Sequence, residues 1–328
     1  MNTSTPWQPS SDLEMLKIRS AMLSSARGFF GERGVMEVET PLLCLDGVTD
    51  PHIENIAVPL NENHLWLRTS PEFHMKRLLA AGSGDIFQIG KAFRGGESGR
   101  RHQPEFTMVE WYRGGFDLSK IIEETCQLIA WLSECSSQPI SGQQRISYQE
   151  AFLSTCAIDP LAADIDELRS TALNWPENIC DPALAVRIGD DRSTWLDLIA
   201  SHAVYPALPM NTICVVDAYP ADQAMLARLN PDNPLVADRF EVFLNGVELA
   251  NGFVELTDAS EQTQRFAIDR SRRKKMNLPD IRPDQMLINA LEHGMPEYSG
   301  VAVGLDRVLM TTNECASIAQ TMSFVPGG

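Results

Sequence analysis

The pair Asn245 and Gly246 constrains the fold of this 328-residue chain more than any other short stretch. In DRFEVFLNGVELANGF the pair lies between two apolar segments, a pattern that predicts an antiparallel hairpin closed by a type I′ turn. With a two-residue loop, Glu241 should face Ala250, and Glu248 should lie diagonal to Glu241 on the same face. Their backbones would then be about 7 to 8 Å apart.

The predicted proximity of Glu241 and Glu248 has two interpretations. Two carboxylates that converge on an apolar hairpin repel each other unless a cation lies between them. Oxygen ligands of this kind suit Mg²⁺ that also binds phosphates. The spacing alone equally allows two unrelated glutamates on a solvated outer face, so both interpretations stay open at this point.

A second antiparallel hairpin is predicted from DIFQIGKAF at 85–93 and PEFTMVEWY at 104–112, because both segments alternate with period two. The loop between them, 94–103, is rich in glycine and basic residues. Arg94 opens this loop, and a guanidinium at the end of a strand can bind a phosphate through two hydrogen bonds. A basic surface loop without a ligand is the alternative.

Helix signals occur on both sides of these hairpins. Ser11 and Ser70 are predicted N-caps, and Asp258 with Glu261 forms a predicted capping box. The stretch 117–210 is expected to form a mostly helical insertion, and the sequence says little about function there.

The composition favours a cytoplasmic protein without membrane contact. The N-terminus lacks a signal-peptide pattern, and no apolar run approaches the roughly 18 to 20 residues of a membrane span. Seven cysteines without a CxxC pair argue against a disulfide framework and against a zinc site. A net charge of −17 disfavours non-specific binding to nucleic acid.

Four segments, in chain order, resemble the motif regions of class II aminoacyl-tRNA synthetases of the lysyl type. They are VMEVETPLL, FRGGESGRRHQPEFTMVEWY, ELANGFVELTDASEQ and GVAVGLDRVLM. The resemblance implies an α+β fold with an antiparallel β-sheet core flanked by helices, in a single catalytic domain over 1–328. It also implies adenylate formation from ATP and an amino acid, and a homodimer formed through the first motif around Pro41.

The resemblance implies roles for individual residues. Arg94 would bind the α-phosphate, and Arg307 would lie near the γ-phosphate and enclose adenine with Phe106, so both arginines are the implied catalytic residues. Glu241 and Glu248 would bind Mg²⁺. The implied nucleotide-binding residues are Arg94, Gly95, Gly96, Glu97, His102, Gln103, Phe106, Glu248, Leu249, Gly304 and Arg307. The implied amino-acid-binding residues are Ser70, Pro71, Glu72, Tyr112, Asn251, Glu255 and Ala302.

The implied amino-acid pocket favours a substrate with two ammonium groups. Glu72 and Glu255 contribute two carboxylates and Tyr112 contributes a phenol. A substrate with a neutral side chain would leave one buried carboxylate unpaired, at a cost of about 1–3 kcal/mol. Lysine, or an isomer of lysine, has the required two nitrogens.

The acceptor is suggested by the short segment before the first motif. Lysyl-tRNA synthetases carry an OB-fold anticodon-binding barrel there, whereas about 34 residues precede the motif in this sequence, too few for five strands. We therefore expect no anticodon-type tRNA binding. TSPEFHMKRLLAAG and RHQPEFTMVEWY are most similar to truncated lysyl-tRNA synthetase paralogues that modify elongation factor P. That resemblance implies transfer of lysine, or preferentially (R)-β-lysine, to a lysine side chain of the factor. It includes Ala302, where tRNA-charging enzymes usually have glycine.

Two departures from the family pattern affect the nucleotide site. Gly96 stands where an acidic residue is usual, with Glu97 one position later, and Gln103 stands where asparagine is common. These departures put ATP affinity and adenine selectivity in question. They also leave open a non-catalytic regulatory subunit, beside a minimal enzyme that charges tRNA or another small acceptor and an ammonia-using ligase. The basic run RSRRKK at 270–275 either complements a helix C-terminus or binds an acidic protein partner.

Overall fold

A computed structural model describes residues 7–60, 63–136 and 140–325, which form an α+β fold. The strands are β1 (Met36–Glu37), β2 (Leu43–Cys44), β3 (Ala57–Leu60), β4 (Asn63–Leu67), β5 (Ile86–Phe93), β6 (Glu105–Gly114), β7 (Gly142–Ser147), β8 (Thr212–Asp217), β9 (Arg239–Leu244), β10 (Val247–Val254) and β11 (Tyr298–Gly304). The α-helices are α1 (Leu13–Glu32), α2 (Glu72–Ala80), α3 (Leu118–Ser133), α4 (Tyr148–Cys156), α5 (Ile165–Asn174), α6 (Pro182–Ile188), α7 (Arg192–Ile199), α8 (Ala259–Lys275), α9 (Gln285–Gly294) and α10 (Leu305–Thr312). Among the described residues, no helix has the length and apolar character needed to cross a membrane.

The chain divides into two compact units. The first contains the described residues up to 136 and those from 255 onwards, and the second contains 140–254. In the first unit, β5 pairs antiparallel with β6, β6 pairs antiparallel with β11, and β1 pairs parallel with β5. Strands β2, β4 and β3 form a separate small antiparallel sheet in that order. The assignment of the whole chain to one catalytic domain stays a prediction.

The core of the first unit is built where α1 packs on the sheet. Phe30 of α1 stacks on Phe87 of β5 with ring centroids 4.4 Å apart, and it contacts Trp111 of β6 at 5.2 Å. All three side chains are buried. Because side chains alternate along a strand, burying Phe87 and Trp111 against α1 turns their sequence neighbours to the opposite face of the sheet. Glu110 and Tyr112 are therefore directed to the face opposite α1.

The second unit combines a sheet with helices from the predicted helical stretch. Strands β10, β9 and β8 pair antiparallel in that order, and β7 pairs parallel with β8. Helices α4, α5 and α7 bury a core that includes Tyr148, Phe152 and Trp195. Strand β7 was not predicted, because its sequence GQQRIS is polar and largely exposed and has no apolar alternation.

Both predicted hairpins are confirmed. In the first, β5 and β6 pair from Ile86 with Tyr112 to Phe93 with Glu105. In the second, the turn residues both have positive φ, 54° at Asn245 and 69° at Gly246, as a type I′ turn requires.

The predicted register of the second hairpin is wrong beyond Glu248. Glu241 pairs with Asn251 and not with Ala250, because a β-bulge lies between Glu248 and Ala250. The bulge lets two successive apolar residues, Leu249 and Ala250, both be buried, which regular alternation does not allow.

Two predicted N-caps are each displaced by one residue. The first helix is capped by Asp12 and not by Ser11, because the Asp12 carboxylate accepts a 2.8 Å hydrogen bond from the backbone N–H of Met15. In α2 the N-cap position belongs to Pro71, and the Ser70 hydroxyl accepts only a 3.3 Å bond from an amide two residues later.

The predicted capping box of α8 is half formed. The Asp258 side chain accepts a 2.8 Å hydrogen bond from the backbone N–H of Glu261. The Glu261 carboxylate forms an ion pair with Arg265 one turn later, and within the described part of the chain it makes no bond back to the N-cap. The ion pair with Arg265 therefore takes the place of the hydrogen bond that Glu261 would make to the backbone of Asp258 in a full capping box.

Candidate active site

A buried lysine bridges two carboxylates in the first unit. Lys76 of α2 is 1% exposed, and its Nζ lies 2.7 Å from Glu72 Oε1 and 2.6 Å from Glu255 Oε2. Glu72 and Lys76 are four residues apart on one helix, so they lie on the same face and meet without distortion. Glu255 comes from the chain just before α8, and it is also almost completely buried.

A second pair of polar groups lies on β6. The phenol of Tyr112 donates a 2.7 Å hydrogen bond to Glu110 Oε1, and both side chains are buried. Because the two residues are two apart on the strand, they share the face that is opposite α1. In the pairing of β6 with β11, Glu110 is opposite Ala302 and Tyr112 is opposite Gly300.

Gly300 is the point where the two pairs of groups meet. A Cβ atom at this position would lie 2.4 Å from Glu255 Oε1 and 2.4 Å from Cε1 of Tyr112. Real Cβ atoms do not approach other atoms this closely, so the absence of a side chain lets the carboxylate and the phenol lie directly over the backbone. The structure therefore brings Glu72, Tyr112 and Glu255 together.

The cluster carries more negative than positive groups. Burial raises the pKa of Glu110 to about 8, and the Glu72 carboxylate adds to this effect. Burial also raises the pKa of Glu255 to about 8, although Lys76 opposes the shift. Burial alone would lower the pKa of Lys76, but Glu255 and Glu72 together raise it above its ordinary value. One lysine among three carboxylates leaves room for further positive charge.

Glu255 has unused hydrogen-bonding capacity. Both carboxylate oxygens are buried. Oε2 lies 2.6 Å from Lys76 Nζ, whereas Oε1 has no hydrogen-bond partner among the described residues. Since buried polar atoms in proteins are usually hydrogen-bonded, Glu255 suits a ligand that donates N–H groups.

The predicted phosphate-binding arginine lies at the end of β5. Arg94 Nε is buried and lacks a hydrogen-bond partner among the described residues. The Arg94 guanidinium carbon lies 5.2 Å from the centre of the Phe106 ring, and one terminal nitrogen is 3.9 Å from the Glu97 carboxylate. A terminal guanidinium nitrogen of Arg307 lies 2.7 Å from His102 Nε2. Two arginines and an aromatic face therefore meet at the loop 94–103.

A buried aspartate fixes α10 against β6. The Asp306 carboxylate is 1% exposed and accepts a 2.6 Å hydrogen bond from the backbone N–H of Thr107. It also forms an ion pair with Arg19 of α1. Arg307 directly follows Asp306 in α10. The contacts of Asp306 therefore fix the point of the helix from which the Arg307 side chain extends.

The predicted metal ligands lie in the second unit. Glu241 Oε2 accepts a 2.7 Å hydrogen bond from the Tyr219 hydroxyl, and its other oxygen pairs with Arg239. Burial raises the pKa of Glu241 to about 7, Arg239 lowers it, and Glu248 raises it further. In the pairing of β9 with β10, Glu248 is opposite Phe243, so it lies diagonal to Glu241 on the same face of the hairpin.

The acidic pair Glu241 and Glu248 suits an Mg²⁺ ion whose remaining ligands are water and phosphate oxygens. Mg²⁺ commonly binds one or two carboxylates and completes its shell with water and phosphate oxygens. A divalent cation would also relieve the repulsion between the two glutamates. Within 7–60, 63–136 and 140–325, no group of three or more histidine, cysteine, aspartate or glutamate side chains is arranged to hold a metal ion.

The predicted site residues are distributed over both units. The first unit contains Ser70, Pro71, Glu72, Arg94, Gly95, Gly96, Glu97, His102, Gln103, Phe106, Tyr112, Glu255, Ala302, Gly304 and Arg307. The second contains Glu241, Glu248, Leu249 and Asn251. The roles of all these residues stay predictions.

Two residues of the cluster were missed by sequence reasoning. The signal for Lys76 was its four-residue spacing from Glu72 on a predicted helix. The signal for Glu110 was its two-residue spacing from Tyr112 on a predicted strand, which places both on one face.

Comparison with known proteins identifies the family. Residues 8–326 match the family model described as tRNA synthetases class II (D, K and N). Three curated relatives are named elongation factor P–(R)-β-lysine ligase. The relative from Haemophilus influenzae is 43% identical over 97% of each chain, and the one from Vibrio cholerae is 44% identical over 94% of each. The one from Yersinia enterocolitica is 42% identical over 100% of this chain and 99% of its own. This chain therefore belongs to the class II tRNA synthetase family of the D, K and N type.

Proposed function

We propose that this protein is an ATP-dependent ligase that activates lysine or (R)-β-lysine as an aminoacyl-adenylate and transfers it to the ε-amino group of a lysine on elongation factor P. The observation that carries the proposal is the buried cluster of three carboxylates around one lysine. Relatives of nearly equal length, named for this reaction, support the same substrate.

The charge of the cluster explains the selection of a diamino acid. Lys76 already neutralises one carboxylate, so two further positive charges balance the remaining two. Lysine and β-lysine each bring two ammonium groups, whereas an amino acid with a neutral side chain brings one. The unmatched carboxylate would then stay protonated, or it would be buried unpaired at a cost of about 1–3 kcal/mol.

The first step requires no general base, because the substrate carboxylate is itself the nucleophile that attacks the α-phosphate. Arg94 would stabilise the charge that develops there, and its buried Nε, which has no hydrogen-bond partner among the described residues, supports this role. Mg²⁺ at Glu241 and Glu248 would supply further charge neutralisation for the triphosphate. Arg307, positioned through Asp306, would bind the distal phosphates.

Ala302 supports a preference for the β-amino isomer. It lies opposite Glu110 in the sheet, so its methyl group borders the carboxylate cluster. A methyl group at this point narrows the space between β11 and the bound amino acid. Lysine and β-lysine differ in the carbon that carries the amino group, so the narrower space favours one isomer over the other. In competition, (R)-β-lysine should therefore be activated more efficiently than lysine.

The proposal includes a homodimer that acts in the cytoplasm. Leu42, Leu43 and Leu45 follow Pro41 and are exposed, with Leu45 67% exposed. Exposed leucines in one short segment are typical of a surface that another chain covers. Sedimentation equilibrium of the wild type and of Leu45→Asp tests this part, which predicts a dimer that the variant weakens.

One experiment distinguishes the acceptors. The protein is incubated with ATP, Mg²⁺ and labelled lysine or (R)-β-lysine, together with elongation factor P and bulk tRNA. Label on a lysine of the factor is the expected result. Label on tRNA would instead favour a minimal aminoacylating enzyme, which the family model makes the second candidate. Absence of pyrophosphate exchange with every diamino acid would refute adenylation.

A further inference from the structure

Glu54 lies against the glycines that follow the phosphate-binding arginine. Its backbone carbonyl accepts a 2.8 Å hydrogen bond from the N–H of Gly95, and the two residues form an isolated antiparallel bridge. This bridge ties the segment before β3 to the start of the loop 94–103. The Glu54 side chain lies over this loop, next to the positions that Cβ atoms at 95 and 96 would occupy.

The Glu54 carboxyl group fills the volume that side chains at positions 95 and 96 would occupy. A Cβ at Gly95 would lie 2.8 Å from Cγ, Cδ and Oε1 of Glu54, and a Cβ at Gly96 would lie 2.7 Å from Oε2. Gly96 also has φ of +69°, a conformation that favours glycine. The loop therefore has no side chain of its own here, and a carboxylate from another segment takes the place.

The groups around this point are ready for a ligand. Among the described residues, the Glu54 side chain takes part in no hydrogen bond or ion pair, and Arg94 Nε is buried without a hydrogen-bond partner. The nearby Glu97 is directed toward Arg94, with 3.9 Å between its carboxylate and the guanidinium. Glu54, not Glu97, is therefore the acidic group that covers the backbone at position 96.

We propose that Glu54 is a specificity-determining residue for the nucleotide and supplies the carboxylate that Gly96 lacks. The inference rests on the proposed function. A carboxylate accepts hydrogen bonds and repels phosphate, so it recognises an N–H or O–H donor of ATP. With Arg94 attracting the phosphates and Glu54 accepting from the adenine amine or a ribose hydroxyl, the two side chains fix the direction in which ATP binds.

Substrate analogues test the inference. Amino-acid-dependent pyrophosphate exchange is measured for the wild type and for E54A with ATP, purine riboside triphosphate, 2′-deoxy-ATP and 3′-deoxy-ATP. With ATP, E54A should raise KM by about 10- to 100-fold, the range for one hydrogen bond to a charged group. For the analogue that lacks the recognised donor, the wild type should show the same loss, and E54A should add little to it.

A purely structural role of Glu54 would give a different pattern. It would raise KM for ATP and for all three analogues by the same factor, and that additive result would overturn the inference, as would an unchanged KM. E54Q keeps the shape and the acceptor oxygen but not the charge, so its KM for ATP should lie between those of the wild type and E54A. E105Q removes a charge from the same hairpin, where Glu105 pairs with Lys91, and should behave like the wild type.

Failure of this inference can be distinguished from failure of the proposed function. If the wild type shows no pyrophosphate exchange with ATP for each of the diamino acids tested, the proposed function fails. If the wild type exchanges normally and E54A does so with equal KM, only the role of Glu54 is refuted.

Discussion

Binding of lysine to the free protein should release protons. In the absence of substrate, Glu110 and Glu255 have pKa values of about 8, because both are buried close to other carboxylates. At pH 7 a carboxyl group with such a pKa is about nine-tenths protonated. A bound ammonium group requires the ionised form, so each carboxylate that pairs with the ligand releases up to one proton. Because the two carboxylates influence each other's titration, two such contacts release between one and two protons per lysine.

Isothermal titration calorimetry measures this number directly. The binding enthalpy is determined at pH 7 in buffers that differ in ionisation enthalpy, such as phosphate and Tris, and the slope gives the protons released. We expect between one and two. E110Q should lower the count by about one, because glutamine keeps an acceptor for Tyr112 but has no proton to lose. E105Q changes an exposed carboxylate on the same strand and should leave the count unchanged.

A slope near zero in the wild type would refute the reasoning. It would mean that both carboxylates are already ionised at pH 7 and that the cluster selects lysine by shape and not by charge. A proton release that E110Q does not alter would assign the protons to other groups. Both results are measurable with the same samples.

Three further predictions concern stability and the protein acceptor. The free energy of unfolding of the substrate-free protein should decrease as pH rises from about 5 to 8. The reason is that the folded state keeps protons on Glu110 and Glu255 that the unfolded chain has lost in this range. Urea titrations at a series of pH values measure this free energy. Lys76→Met should lower that free energy by about 3–5 kcal/mol at pH 8, since it removes the partner of buried carboxylates, whereas Lys17→Met at an exposed pair should change it by less than about 0.5 kcal/mol. Replacing Lys274 and Lys275, both exposed at the end of α8, with glutamate should raise KM for elongation factor P several-fold and leave pyrophosphate exchange unchanged; equal KM values would refute a docking role.

The basic run at 270–275 shows how structure sharpens a sequence prediction. Arg273 is buried and donates hydrogen bonds to the backbone carbonyls of Pro279 and Asp50, and Arg270 forms an ion pair with Asp280. These two arginines serve the fold. Lys274 and Lys275 at the end of the run are exposed and can attract an acidic partner, so the docking hypothesis applies to fewer residues than the sequence suggested.

Local patterns predicted the parts of the fold that depend on local physics. The alternation around Phe87 and Trp111 predicted β5 and β6, because burial on one face follows directly from the period of a strand. Asn245 and Gly246 predicted their turn, because few residues adopt positive φ easily. The bulge between Glu248 and Ala250 was not predicted, since it depends on the tertiary contacts that bury both Leu249 and Ala250.

The chemistry of the candidate site depends on contacts that no local pattern contains. A glutamate and a lysine one turn apart, like Glu72 and Lys76, usually form an exposed ion pair on a helix surface. Here Glu255, distant in sequence, covers the pair and makes it a buried cluster. The same holds for Glu54 at the loop 94–103, where Gly96 stands in place of the acidic residue that is usual in the family. At both places a glycine backbone leaves space, and a carboxylate from a distant segment fills it. A glycine at a binding site can therefore mean that the functional side chain comes from elsewhere in the chain, and this is why the E54A experiment bears on selectivity as well as on folding.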